Sequence, residues 1–412
     1  MRDACWNEPQ LKDFHGYLYT VNNGCMDVEG FIDSEYGAET ARRLMIRSRI
    51  EYDHEEAKKY YASIGLKKEY FDWEDFYDRW TLLTPMNMEE GKSYPLIFWL
   101  HGGGNSIEAE ENMTGFTDIA AREGFMLAVP QNTSPDKVNQ IIERVADMYT
   151  LDRGRVYLCG FSQGGSQSHG AYFRNPEKFA ACVTTGNDIW RPWDNFQDSY
   201  TEEEIENTRR LRVPLMQFCG QVEPFPYAPL NHWSPRRPPK QNPWGRPDTF
   251  EHPGKNDDLD PTRIHDLSKG KFDAVFGNAN EHKWRMAIQY EPAEGEDVVD
   301  FSMKRVNFRM ELLDCEHRDP EICRGYLNEH QDTVHRVVGI YGDYEAVEYY
   351  YGYRHYTVGV NDRSGHEMYR FVCVQNTPHW PQLTMGELGW KFMKRFSRNT
   401  ETGELIITEE SK

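Results

Sequence analysis

A chain of 412 residues exceeds the usual single compact core, so one large domain with an insertion and a pair of domains are both open. Hydrophobic residues make up 38% and charged residues 28%, a soluble globular balance, and no segment has the unbroken apolar length of a membrane span. With 47 Lys and Arg against 67 Asp and Glu, the net charge of -20 repels polyanions over most of the surface and argues against nucleic acid as a partner.

The start, Met1 to Glu8, lacks the apolar centre of a signal peptide, so a cytoplasmic address is expected unless a leader was removed. Eight cysteines at positions 5, 25, 159, 182, 219, 315, 323 and 373 form no CxxC pair, which speaks against zinc or redox work. Cys159, Cys182, Cys219 and Cys373 fall in apolar runs and read as buried, reduced thiols. Residues 1–76 read as an N-terminal extension, with a helical stretch from His54 to Ile64. A strand-like Trp80 to Leu83 leads into the core.

From there, β-rich apolar runs recur at Leu96 to Leu100, Phe125 to Val129, Arg155 to Cys159, Ala180 to Thr185 and Val213 to Cys219. Helical patterns lie between them, the clearest from Asp136 to Tyr149, with Val138, Ile141, Ile142, Val145 and Met148 on one face. Alternating strands and helices predict an α/β fold with a mostly parallel sheet covered on both faces. After Cys219 the rhythm is lost, and it resumes at Tyr369 to Val374. A terminal helix follows, its start marked by Thr384 and Glu387 at capping-box spacing and its apolar face by Met385, Leu388, Phe392 and Phe396. The expected organisation is a core of 77–223 and 354–398, interrupted by an insertion at 224–353 that forms a lid or subdomain. The tyrosine-dense stretch from Tyr344 to Tyr356 reads as a pair of packed strands.

Chemistry enters at Gly160-Phe161-Ser162-Gln163-Gly164, between the strand at Arg155 to Cys159 and a helical Gln163 to Arg174. A serine on so sharp a strand-to-helix turn projects its Oγ from the sheet, and flanking glycines remove Cβ atoms that would clash. The helix that follows aims its unpaired N–H groups at the same point, Gln163 supplying one donor for an oxyanion. His101-Gly102-Gly103-Gly104 directly follows another strand, so an N–H of Gly103 or Gly104 would be the second donor, each worth roughly 3 kcal/mol in a transition state. Of fourteen histidines, His379 alone combines a strand's C-terminal end with the chain order of a general base. His101 reads as structural, and His169 lies inside the helix.

These residues resemble the esterase branch of the α/β-hydrolase fold that includes polyhydroxybutyrate depolymerase-like proteins, feruloyl esterases and related carbohydrate esterases. The resemblance runs from about Tyr77 to Phe396. It rests on the Leu100 to Gly104 loop, the Arg155 to Gly165 elbow, the Val213 to Glu223 strand and the Pro378 to Pro381 histidine segment. It implies a triad of Ser162, His379 and Glu223, with Asp188 as the alternative acid. A serine carboxylesterase working through an acyl-enzyme would follow, with no metal or organic cofactor. The Asp257 to Asp260 run lacks the glycine spacing of a calcium loop. The expected substrate is a small or carbohydrate-linked acyl or feruloyl ester. Trp190, Trp193 and Trp380 are candidate contacts, with Trp233 and Trp244 further rim aromatics, and aromatic packing that anchors the insertion is the equal alternative. A serine peptidase of the same fold and a non-catalytic binding protein remain the competing readings, and self-association is left open.

Overall fold

The computed structural model describes residues 26–187, 200–221, 298–330 and 332–408, with scattered positions between 6 and 18. The chain forms two compact units, one of residues 42–188, 202–218 and 381–412, the other of residues 1–41, 189–201 and 219–380.

The main sheet of the first unit is built, among the described residues, from β1 (Leu66–Phe71), β2 (Trp80–Pro85), β3 (Tyr94–Leu100), β4 (Met126–Pro130), β5 (Leu151–Phe161), β6 (Ala181–Thr185) and β7 (Leu215–Gly220). The last two residues of β7 belong to the second unit. The strand order is β1-β2-β4-β3-β5-β6-β7. Strands β3 to β7 pair in parallel, while β2 runs antiparallel to both β1 and β4. Every position of β3 and β4 is buried, as expected of parallel strands covered on both faces. The antiparallel start of the sheet lies at Leu66, within the first ninety residues.

Helices bridge the parallel strands. Pro135–Met148 starts where the Ser134 hydroxyl accepts the Lys137 N–H at 3.4 Å, with proline in the first turn where its missing N–H costs nothing. Val138, Ile141, Ile142 and Val145 are buried, but Met148 is 42% exposed: the apolar stripe outruns the surface it covers by one turn. In the terminal helix, Met385–Met393, the apolar positions Met385, Leu388 and Phe392 are buried as expected, while Phe396 belongs to the short strand Phe396–Arg398. The capping box does not form. Thr384 has φ -87° and ψ 0°, its side chain bonds to no N–H of the helix start, and Glu387 instead pairs with Arg122 at 2.8 Å and Lys391 at 3.1 Å.

The second unit contains an antiparallel meander of β8 (Tyr344–Tyr350), β9 (Tyr353–Asn361) and β10 (Glu367–Val374). The β8–β9 turn is the two residues Tyr351 and Gly352, with φ of 51° and 76°, the mirror-image turn whose twist suits a tight hairpin. Helices Val298–Leu312, Pro320–Gly325 and Val334–Val338 precede it. The tyrosine-dense stretch is therefore a strand pair. It also means that residues 298–353, expected within an insertion, contain three helices and β8. Residues 222–297, including Glu223, Trp233, Trp244 and Asp257 to Asp260, lie outside the described residues, as do Asp188, Trp190 and Trp193.

The six described cysteines, 159, 182, 219, 315, 323 and 373, are all free and buried. Among the described residues, no helix is long and apolar enough to cross a membrane, and no His, Cys, Asp and Glu cluster could hold a metal.

Arg398 ties the first unit's C-terminus to its core. Its buried guanidinium donates to the carbonyls of Phe179 at 2.8 Å, Leu211 and Arg212 at 2.6 Å each, and Gly403 at 3.2 Å. Truncation would strand these acceptors away from water. Arg398→Ala should lower the unfolding free energy by about 2–4 kcal/mol in a urea titration. An unchanged midpoint would mean that these four acceptors do not depend on Arg398.

Candidate active site

The order β4-β3-β5 means that the chain leaves β3 to one side and returns, through β4, to the other. Loops at the C-terminal ends of β3 and β5 therefore diverge, which is where open α/β sheets place their crevices. The register sets Leu100 opposite Gly160, so the segments that follow, His101 to Gly104 and Ser162 onward, emerge side by side.

Ser162 has φ 52° and ψ -115°, a conformation that costs a non-glycine residue roughly 1–3 kcal/mol. It ends β5 and caps the helix Gln163–Arg174. Its N–H donates to the Thr185 carbonyl on β6 at 2.9 Å, and its carbonyl accepts the Ser166 N–H at 3.1 Å. The two glycines around it have no room for a side chain. A Cβ on Gly160 would lie 2.4 Å from the Gly164 carbonyl, and one on Gly164 would lie 2.0 Å from the Leu100 carbonyl oxygen. Sequence reasoning demanded glycine at both positions for this reason.

The β3 loop meets this turn directly. A Cβ on Gly103 would stand 2.9 Å from Gln163 Oε1, and one on Gly102 would stand 2.7 Å from the Phe161 ring. Gly103, Gly104 and Gln163 are exposed and Ser162 is half-buried. His101 is buried, as expected of a structural residue. Its Nδ1 lies 2.9 Å from the Gly102 carbonyl and its Nε2 3.1 Å from Gln131 Nε2. Its Nε2 also lies 3.0 Å from the Gln131 backbone carbonyl, so each ring nitrogen faces a carbonyl oxygen, and burial lowers the pKa of the ring. Gln131 also donates to the Asn105 carbonyl at 3.0 Å, and its Oε1 accepts from Arg79 at 3.1 Å. His169 is likewise internal, its Nδ1 2.9 Å from the Tyr172 hydroxyl.

His379 lies in the second unit, buried in the loop after β10. That loop is stitched to the end of β7: the Gln221 N–H donates to the Val374 carbonyl at 2.8 Å, and the Asn376 N–H donates to Gln221 Oε1 at 3.0 Å. A Cβ on Gly220 would come 2.1 Å from the Thr377 carbonyl oxygen, so only glycine admits this approach. Asn376, at φ 49°, turns the chain, and its side-chain amide donates to the Asp27 carbonyl at 2.8 Å and the Tyr353 hydroxyl at 3.1 Å. Glu223 follows this junction by two residues, outside the described range. The Trp380 ring lies 4.3 Å from that of Phe14, an aromatic contact inside the second unit.

Three residues that sequence reasoning passed over support these loops: Glu110, Gln131 and Asn376. Asn376 carried a signal, since asparagine is the side chain that best tolerates a left-handed turn. Glu110 and Gln131 carried none, because nothing local marks a polar residue as buried.

A parallel sheet with this strand order, and a glycine-flanked serine on a strained turn between strand and helix, is the α/β-hydrolase fold. No family model matches the chain. Over 146 residues it is 32% identical to a bifunctional acetylxylan esterase/xylanase of Neocallimastix patriciarum, a match covering 31% of this chain and 22% of that protein. The chain thus spans about a fifth of the length of this relative. Among solved structures, it is similar to a feruloyl esterase module from Clostridium thermocellum, at 16% identity and TM-score 0.31, covering 39% of this chain and 69% of that one. It is also similar to an S-formylglutathione hydrolase from Agrobacterium tumefaciens, at 13% identity and TM-score 0.31, covering 38% and 76%.

The clearance around the turn gives a direct test. Gly164→Ala forces a methyl group against the Leu100 carbonyl and should cost at least about 1–3 kcal/mol, seen as a lower unfolding midpoint. A variant as stable as the parent would show that the turn relaxes freely.

Proposed function

We propose that the protein is a serine carboxylesterase in which Ser162 is the nucleophile, His379 the general base and Glu223 the acid that orients it, with Asp188 as the alternative acid. The observation that carries this reading is the strained backbone of Ser162, held beside the Gly102 to Gly104 loop at the sheet's switch point. Strain of this kind at a half-buried polar residue fits a reactive group.

In the reaction, Ser162 Oγ attacks the ester carbonyl while His379 takes its proton. The N–H groups of Gln163 and of Gly103 or Gly104 receive the oxyanion. The C–O bond then breaks, the alkoxide leaves with the proton from His379, and the acyl group stays on Ser162. Water, deprotonated by His379, releases the acid and restores the serine. Chemistry of this type needs no metal or organic cofactor.

For substrate we infer an acyl ester, small or attached to carbohydrate, a choice supported by the name of the Neocallimastix relative. Feruloyl esters belong to the same proposal, with Trp190, Trp193 and Trp380 as contacts. Residues 224–353 as a lid or subdomain, and a cytoplasmic address suited to six free buried cysteines, complete it.

Hydrolysis of short-chain nitrophenyl esters tests the reading. Ser162→Ala should lower kcat by at least about 10⁴-fold, and His379→Ala by about 10³-fold or more, with folding intact by circular dichroism. Equal rates in parent and Ser162→Ala would contradict it. Turnover of aminoacyl arylamides but not esters would replace it with the peptidase reading, and no turnover of either with the binding-protein reading.

A further inference from the structure

We propose that Glu110 is a positioning residue for the oxyanion loop, its carboxyl anchoring the Gly102 N–H from below and so directing the next N–H groups, those of Gly103 and Gly104, toward the substrate. This rests on the reading of Ser162 as an acyl-transfer nucleophile.

Glu110 ends the short helix Ile107–Glu110 and is 2% exposed. Its Oε1 accepts the Gly102 N–H at 3.0 Å and also the Asn105 side-chain amide. Gly102 is pinned on two sides, since a Cβ there would stand 3.2 Å from this same Oε1 and 2.7 Å from the Phe161 ring. The remaining oxygen, Oε2, is buried, and the Trp99 side chain is a further donor to the carboxyl. Burial nevertheless pushes Glu110 up to about 8, against the pull of the Gly102 N–H, the Asn105 amide, the Arg47 guanidinium and the Trp99 side chain.

The charged groups around it are otherwise engaged. Arg47, on the helix Glu35–Ile50, lies 3.7 Å from Glu51 and 3.5 Å from the Ala109 carbonyl. Glu108 pairs with Arg79 at 3.1 Å, and Glu111 with Lys68. His101 is held neutral by burial. At neutral pH Glu110 therefore carries its proton, and the loop is anchored on an uncharged acceptor.

The chemical consequence follows from position. A neutral carboxyl fixes the loop without placing negative charge beneath an oxyanion forming above it. When Glu110 ionises, a like charge faces that oxyanion through a dry interior, and stabilisation of the transition state falls. Activity should be full below the Glu110 pKa and lost as pH rises through it. A general base gains activity as it deprotonates, a limb of the opposite sign.

The experiment compares parent, Glu110→Gln and Glu110→Ala in ester hydrolysis across pH, together with amide hydrogen exchange of peptides spanning His101 to Asn105. Glu110→Ala should lower kcat by about 10²-fold with KM within about twofold, and speed exchange at Gly102. Glu110→Gln keeps an uncharged acceptor in the same place. It should restore neutral-pH kcat to within about threefold of the parent and abolish the decline that the parent shows above about pH 8. Unchanged kcat and exchange in Glu110→Ala, or the parent's alkaline decline retained in Glu110→Gln, would overturn the inference. If no form hydrolyses esters yet exchange follows the expected pattern, the esterase reading fails and the anchoring role stands. If the parent hydrolyses esters and Glu110→Ala changes nothing, only this inference fails.

Discussion

The structure turns on one strained residue. A serine at φ 52° and ψ -115° is stable only if its surroundings leave no alternative, and each neighbour contributes to that. The hydrogen bond from its N–H to the Thr185 carbonyl fixes the turn to β6. Absent Cβ atoms at Gly160 and Gly164 let the helix start press against the ends of β3 and β5. Helix and strands in turn set the start of the helix at Gln163 against the β3 loop at Gly103. Site geometry is thus a consequence of sheet register, and the strain is offset by the packing of the whole parallel sheet.

The same device recurs in the second unit. Gly220 lets the end of β7 approach the Thr377 carbonyl, and Asn376 bends the chain so that the loop carrying His379 is bonded at both Gln221 and Asp27. In each unit the functional segment is irregular backbone, and glycine or asparagine at one position lets it lie against a strand end. Rigid strands position it, and it carries the side chain proposed to react.

Much of the fold was legible because its signals are local. Unbroken apolar runs such as Leu96 to Leu100 mark strands buried on both faces, and Ser134-Pro135 before an apolar stripe marks a helix start. Legibility failed where a residue's state depends on a distant partner. Thr384 and Glu387 have capping-box spacing, yet Arg122, far away in sequence, draws Glu387 off. Met148 continues its stripe but meets nothing that covers it. The strand pair β8 and β9 was readable from its dense tyrosines. At the site, the glycines and Ser162 were readable from the demands of the turn. Glu110 was not, because one glutamate in an acidic chain looks like any other until burial singles it out.

Ser162 is the centre of the proposed reaction, and charge near it is held in pairs, as at Arg79 and Glu108 at 3.1 Å, or buried, as at Glu110. The most direct measurement of the central claim is rapid-quench peptide mass spectrometry of the parent protein mixed with a short-chain nitrophenyl ester. The account predicts a transient acyl adduct on the peptide containing Ser162, formed with the burst of nitrophenol. Ester hydrolysis without that adduct, or an adduct on another residue, would contradict it.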